Sequence, residues 1–152
     1  MGDAMQSGIV VDASKTTDRV TRGVCRMLAD AGYGTLKEFR LPAGRRVDVI
    51  GMNDDSEFVI VEVKVSVEDF RGDNKWREYL PYCDRFYFAV PESFPTRLVP
   101  GDCGLIVADG YGGAIRRAAT TMAVNGNRKR RQLVRFGLAA SARLQRLADP
   151  RV

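Results

Sequence analysis

Two carboxylates and an ammonium lie close enough in this chain to share one task. Asp48 sits in Arg46-Val47-Asp48-Val49-Ile50, and Glu62 and Lys64 follow in Glu62-Val63-Lys64, fourteen residues beyond the aspartate. Side chains two apart on a β-strand project from the same face, so an extended segment points Glu62 and Lys64 the same way. The surrounding alternation argues that it is extended. Val59, Val61, Val63, Val65 and Val67 fall on one face, and Phe58, Ile60, Glu62, Lys64 and Ser66 on the other. A row that passes from Phe and Ile to Glu and Lys runs out of a core into a cleft. Carboxylates on neighbouring strands can hold a hard divalent cation, Mg²⁺ or Mn²⁺, through oxygen. A backbone carbonyl such as that of Val63, water and substrate phosphate complete its shell. Such a cation polarises a phosphoryl oxygen, acidifies water and stabilises a leaving alkoxide, and a nearby lysine offsets charge building on the phosphate. Asp48, Glu62 and Lys64 therefore suffice in principle for phosphodiester hydrolysis, the alternative being a surface Glu-Lys pair along an exposed strand.

Composition narrows the chemistry in the same direction. The 152 residues contain no histidine, which removes Ser-His-Asp and Cys-His nucleophiles, His-based zinc sites and every histidine general base. Cys25, Cys83 and Cys103 form no Cys-x-x-Cys pair and read as reduced core thiols of a cytoplasmic protein. No apolar run is long enough to span a bilayer, and the first fifteen residues, with Asp3 and Asp12, lack the apolar block of a signal peptide. No membrane partner is expected. The net charge of +5 is unevenly spread: residues 116–152 carry ten Arg and Lys against Asp149 alone, while residues 1–115 carry fourteen basic and eighteen acidic side chains. A basic end of this kind suits a polyanion such as DNA. Arg128, Lys129, Arg130 and Arg131 are its candidate phosphate contacts, with a merely solvated Arg-rich helix face as the alternative.

The elements that must position these residues follow from periodicity. Residues 1–15 show little and are expected to be loose, leaving 16–152 as one domain. From Thr16 or Thr17 the apolar positions Val20, Val24, Met27, Leu28 and Ala31 recur at helical spacing until Gly32. Three strands follow, at 35–41, 45–52 and 57–66. Their links, Pro42-Ala43-Gly44 and Asn53-Asp54-Asp55, are too short for crossover helices, so they form an antiparallel meander. Ser66 caps a helix reaching about Leu80, with Gly72 weakening its first turns. Residues 84–90 make a strand that is reached through a helix, can pair in parallel, and ends at Pro91. Segments 105–109 and 113–118 read as a hairpin. An Arg-rich helix closes the chain from about 128 to 148, its stripe of Leu133, Phe136, Ala140, Leu144 and Leu147 facing inward. The expected fold is α/β: an α-β-β-β-α-β core with a mixed sheet and one early helix on each face, plus the hairpin and the basic helix.

Asp48 with Glu62-Val63-Lys64, in that order of elements, resembles the core of the PD-(D/E)xK nuclease superfamily, with its restriction-endonuclease-like αβββαβ fold. Within it the chain resembles the bacterial MmcB family over roughly residues 16–148. The resemblance rests on Glu38-Phe39-Arg40-Leu41-Pro42, Gly44-Arg45-Arg46-Val47-Asp48, residues 61–66, Asp69-Phe70-Arg71, Asp73, Lys75-Trp76, Tyr79, residues 83–91 and residues 104–110. It implies a Mg²⁺- or Mn²⁺-dependent endonuclease acting on DNA in repair, with Asp48 and Glu62 as metal ligands and Lys64 as the superfamily's lysine. Val47 stands where the superfamily's name has proline. Many relatives also carry a Glu on the first helix. Here that helix offers only Asp18 and Asp30, and Glu38 on the first strand either takes that role or is a plain surface acid. Lys75-x-x-x-Tyr79 falls where some relatives have Gln-x-x-x-Tyr. A spacing of four puts both on one helical face, where Lys75 can touch a phosphate and Tyr79 support the lysine, unless Trp76 and Tyr79 are simply core. Asp69 and Asp73 read first as capping or salt-bridging residues. Arg45, Arg46, Arg71 and Arg77 surround the expected cleft as candidate phosphate contacts. The competing reading is a non-catalytic DNA-binding or adaptor protein on the same fold. A homodimer and a repair-protein partner both stay open.

Overall fold

The computed structural model describes residues 13–151. Most of the segment expected to be loose, residues 1–12, lies outside the described residues. Helix α1 (Ala13–Asp30) begins before the expected threonine cap. Thr17 does not cap it; its hydroxyl donates back to the carbonyl of Ala13 at 2.9 Å, and Thr21 does the same to Thr17 at 2.7 Å. At the far end Gly32 adopts φ +90°, which glycine accepts without a Cβ clash. Its amide and that of Tyr33 return to the carbonyls of Ala29 and Leu28.

Six strands form one sheet in sequence order: β1 (Gly34–Arg40), β2 (Arg46–Met52), β3 (Phe58–Val63), β4 (Arg85–Val90), β5 (Gly104–Ala108) and β6 (Gly113–Arg117). The first three are the expected antiparallel meander, β4 pairs in parallel with β3 and with β5, and β5–β6 is an antiparallel hairpin. This mixed sheet flanked by helices is compatible with the restriction-endonuclease-like fold. β3 stops at Val63 rather than continuing to Ser66. The Lys64 amide still donates to the carbonyl of Ala89 at 2.9 Å. The next parallel rung would need an N–H from Pro91, which has none.

The alternation of β3 sorts its residues as the sequence implied. Val59, Val61 and Val63 join Val49, Tyr87, Ala89 and Ile106 on the face covered by Val20, Val24 and Leu28 of α1. That helix comes so near the β5–β6 turn that a Cβ on Gly23 would run into the carbonyls of Asp109 and Gly112. Phe58 and Ile60 lie on the opposite face with Ile50, Phe86 and Phe88.

No single helix covers this second face. The expected helix to Leu80 is two pieces, α2 (Val67–Arg71) and a 3-10 turn (Trp76–Tyr82). Ser66 caps the first as expected, its hydroxyl accepting from the Asp69 amide at 3.2 Å. The helix then ends at Gly72, and Asp73 accepts the Lys75 amide at 2.9 Å, so a side chain replaces the helical partner. Trp76 stacks on Phe86 and meets Phe88 edge-on, while Phe70 meets Phe88 and Phe94.

Helix α3 (Gly126–Ala148) completes the layer with Phe136, packed against Phe39 and Phe58. Leu144 and Leu147, expected to face inward, are instead 68% and 80% exposed. By that point the helix has passed the sheet edge at β1, where Arg143 donates to the carbonyls of Lys37 at 2.6 Å and Glu38 at 3.2 Å. The near end of α3 is fixed by buried polar groups. Asp84 accepts from the Phe58 amide at 2.7 Å and from the Lys129 ammonium at 3.0 Å, and Gln132 donates to the carbonyl of Tyr82 at 2.6 Å.

Two glycines should respond in opposite directions. Gly23→Ala should lower the stability measured by urea unfolding by about 2 kcal/mol, the cost of overpacking against fixed backbone. Gly137→Ala, on open α3 surface with nothing near its Cβ position, should raise it by up to about 1 kcal/mol. Equal effects at the two sites would contradict the close approach of α1.

Candidate active site

The sheet draws three acids into one cross-strand line. The pairs Lys37–Val49 and Phe39–Val47 flank Glu38 and Asp48, which therefore face each other across β1 and β2. On the other side Val49–Val61 is the last regular pair of β2 and β3, so Asp48 and Glu62 come next. There the ladder passes to side chains. The Asp48 amide donates to Glu62 Oε1 at 3.0 Å, and the Val63 amide donates to Asp48 Oδ2 at 2.7 Å. Each bond takes the place of a main-chain rung and fixes a carboxylate at the same time.

Glu38 is the odd member. It is exposed and has φ +50°, a left-handed conformation uncommon outside glycine. Arg143 of α3 binds its carbonyl, so the kink is held from the opposite end of the chain. Its charge still reaches Asp48 and helps to raise that residue's pKa.

Burial sets the electrostatics. Glu62 is 6% exposed. Burial, and then the neighbouring charge of Asp48, push its carboxyl up to about 8 against partial relief from the Asp48 amide and Lys64. Burial raises Asp48 as well, despite the Val63 amide and Lys64. The ammonium of Lys64 lies 3.0 Å from Asp73, with both side chains largely shielded from water. Burial pushes Asp73 up, but the Lys75 amide and Lys64 outweigh it and hold the carboxyl below its usual range. The break after α2 thus has a consequence at the site, because Asp73 follows Gly72 and pairs with the lysine. Tyr79 is buried beside Glu62. Burial and that charge raise its phenol, while Arg45, itself 2.8 Å from Glu78, pulls it back.

The donor set consists of hard oxygens. Among the described residues no three His, Cys, Asp or Glu side chains converge as a ready metal cage. What the site offers is a two-carboxylate seat, the kind Mg²⁺ occupies when water and phosphate supply its remaining ligands. Two adjacent acids, one buried and one half-buried, that resist ionising together are also a pair that a divalent cation would neutralise. On both counts the residues fit such a cation.

The basic residues singled out from the sequence divide by partner. Arg45 is paired with Glu78, and Lys129 with buried Asp84. Arg77 lies 2.9 Å from Asp102 and stacks over Trp76. Among the described residues, Arg46, Arg71, Lys75, Arg128, Arg130 and Arg131 have no acid within ion-pair distance. Asp73 proves to be a salt-bridging residue that also accepts the Lys75 amide ahead of the 3-10 turn, without being its cap. Nothing in the sequence signalled that its partner is Lys64. Arg143, on the strand edge beside the acid row, carried no local signal at all.

Among known families, residues 6–151 match MmcB-like, described as DNA repair protein MmcB-like. A solved structure of a protein of unknown function from Silicibacter pomeroyi superposes with a TM-score of 0.86 at 38% identity, covering 89% of this chain and 92% of that one. None of the curated proteins gives a significant match. The chain belongs to the MmcB-like family of DNA repair proteins. No helix among the described residues is long and apolar enough to cross a membrane.

The raised Glu62 makes a pH prediction for the metal-free protein. Its folded pKa of about 8 stands above the ordinary 4.5, so the native state holds a proton that the unfolded chain releases. Its contribution to stability is fully present below about pH 4.5 and is lost as pH rises through about 8. Glu62→Gln should flatten that fall and exceed the wild type at pH 9 by on the order of a few kcal/mol in urea unfolding. A difference between the two proteins that does not change with pH would contradict the assignment.

Proposed function

We propose that this member of the MmcB-like family is a divalent-metal-dependent deoxyribonuclease of the PD-(D/E)xK type, cutting phosphodiester bonds within DNA during repair. One observation carries the proposal: buried Glu62 and half-buried Asp48, on adjacent strands, are cross-bonded through main-chain amides beside a lysine that a third acid holds in place. The family's description as a DNA repair protein supports the choice of DNA.

When bound, Mg²⁺ or Mn²⁺ would supply Lewis-acid polarisation of the phosphate and a water acidified for attack. Asp48 and Glu62 would hold it, and Glu62 must give up its proton to do so. Lys64, steadied by Asp73, places a positive charge on the rim of the pair to offset negative charge developing on the phosphate oxygens. Tyr79 walls the site beside Glu62 and links it to Arg45. Glu38 faces Asp48 from β1 as a candidate third acid for a water-mediated contact. Arg46, Arg71 and Lys75, free of ion pairs among the described residues, are the nearer candidates for strand phosphates. The alternative, a non-catalytic DNA-binding protein on this fold, draws on the fact that among the described residues no third carboxylate closes the cage.

Cleavage of a panel of supercoiled, single-stranded, flapped and damaged DNA separates the two. Asp48→Ala or Glu62→Ala should abolish cutting and also the thermal stabilisation given by Mn²⁺. Lys64→Ala should lower kcat by about 10²–10³-fold while keeping that stabilisation, and Asp73→Asn should show a smaller loss of the same kind. Normal turnover in Lys64→Ala would remove the lysine from the mechanism. Salt-sensitive DNA binding without cutting by the wild type would favour the non-catalytic reading.

A further inference from the structure

We propose that the first turns of α3 and the β1–β2 turn enclose a docking groove for consecutive backbone phosphates, built on Arg128, Arg131 and Arg135 and separate from the carboxylate pair. A cavity of about 300 Å³ opens there, lined by these three arginines with Pro42, Tyr82 and Asn127. Among the described residues no carboxylate lines it. Five cations of this protein have acids beside them: Lys64 has Asp73, Arg45 has Glu78, Arg77 has Asp102, Arg85 has Glu57 and Lys129 has Asp84. Among the described residues, Arg128, Arg131 and Arg135 have none within ion-pair distance. Three like charges sharing one concavity repel one another, and an anion seated among them removes that cost.

The arginines stand on a rigid frame. Lys129 binds buried Asp84, which fixes the rotation of the helix and leaves its neighbours Arg128 and Arg131 exposed. Arg128 lies 4.9 Å over the ring of Tyr82, and Gln132 binds the carbonyl of that same tyrosine. The helix amides contribute little, because the Asn125 side chain already accepts from those of Asn127 and Arg128. Recognition falls to the guanidiniums, whose planar forks match pairs of phosphate oxygens.

Two features point to a polymer rather than a free anion. A second hollow of about 490 Å³ adjoins the first and shares Asn127, Arg131 and Arg135 with it, adding Arg130, so the basic surface runs on along the helix. In the other direction, the turn that contributes Pro42 ends at Arg45, which binds Glu78 and neighbours Tyr79 and hence Glu62. One turn therefore borders both the groove and the acid row. The inference rests on the nuclease reading only in taking DNA as the ligand. The groove acts in binding and not in bond breaking.

The test uses full-length protein in EDTA with fluorescent DNA across a salt series. Replacing Arg128, Arg131 and Arg135 by Gln should flatten the slope of log affinity against log salt by about 2 to 3 and weaken binding at least tenfold. A charge-matched control, Arg19→Gln with Arg97→Gln and Arg116→Gln, should change the slope by less than about 1. Arg131→Gln with Arg135→Gln, which leaves the Arg128–Tyr82 stack intact, should give about two-thirds of the effect and guards against misfolding. Equal losses in the groove and control variants would overturn the proposal. So would loss of inorganic phosphate binding with unchanged DNA affinity. If the groove variants lose DNA binding but the wild type cuts nothing with Mg²⁺, only the nuclease reading falls. Cleavage by the groove variant with unchanged KM would remove the groove alone.

Discussion

Two carboxylates packed side by side in a β-sheet, Glu62 buried and Asp48 half-buried, are the constraint on which the rest of this structure depends. Each would lose hydration worth several kcal/mol if left alone, and together they repel. Asp48 and Glu62 are tolerated because each accepts a main-chain amide that the sheet ladder would otherwise use, and because a lysine stands beside them. Lys64 is itself kept in place by Asp73, and its amide by the last parallel rung to Ala89. The end of β3, the break after α2 and the parallel strand β4 all serve to set one lysine against two acids.

A second buried acid organises the other end of the molecule. Asp84 gathers the Phe58 amide from the start of β3 and the ammonium of Lys129 from α3, so the strand that bears Glu62 and the helix that bears the arginines share an anchor. Phe136 then packs on Phe39 and Phe58, carrying α3 across the meander to where Arg143 meets the kinked backbone of Glu38. The basic helix is in this way tied to both strands that flank Asp48. The interior charges fix geometry, and Arg128 and Arg131 stay exposed on the helix surface.

The alternation of Phe58, Ile60, Glu62 and Lys64 against Val59, Val61 and Val63 contained both faces of β3. The short links around it contained the meander, so the neighbouring positions of Asp48, Glu62 and Lys64 were legible before any coordinates. What periodicity does not encode is where a partner runs out. Leu144 and Leu147 keep helical spacing with Phe136, yet the sheet ends before it reaches them. The helix expected to reach Leu80 breaks because Asp73 binds the Lys75 amide locally and Lys64 distantly, and the second bond depends on the fold. Charge counts likewise could not tell Lys129, used internally, from Arg128 and Arg131 beside it.

The most direct test of the acid pair as a metal centre is anomalous diffraction from crystals soaked in Mn²⁺. A single peak bonded by carboxylate oxygens of both Asp48 and Glu62, and lost in Asp48→Ala crystals, is the result this account requires. No peak there at full soaking, or Mn²⁺ bound only at other surface acids, would show that the pair is structural and that the nuclease reading is wrong.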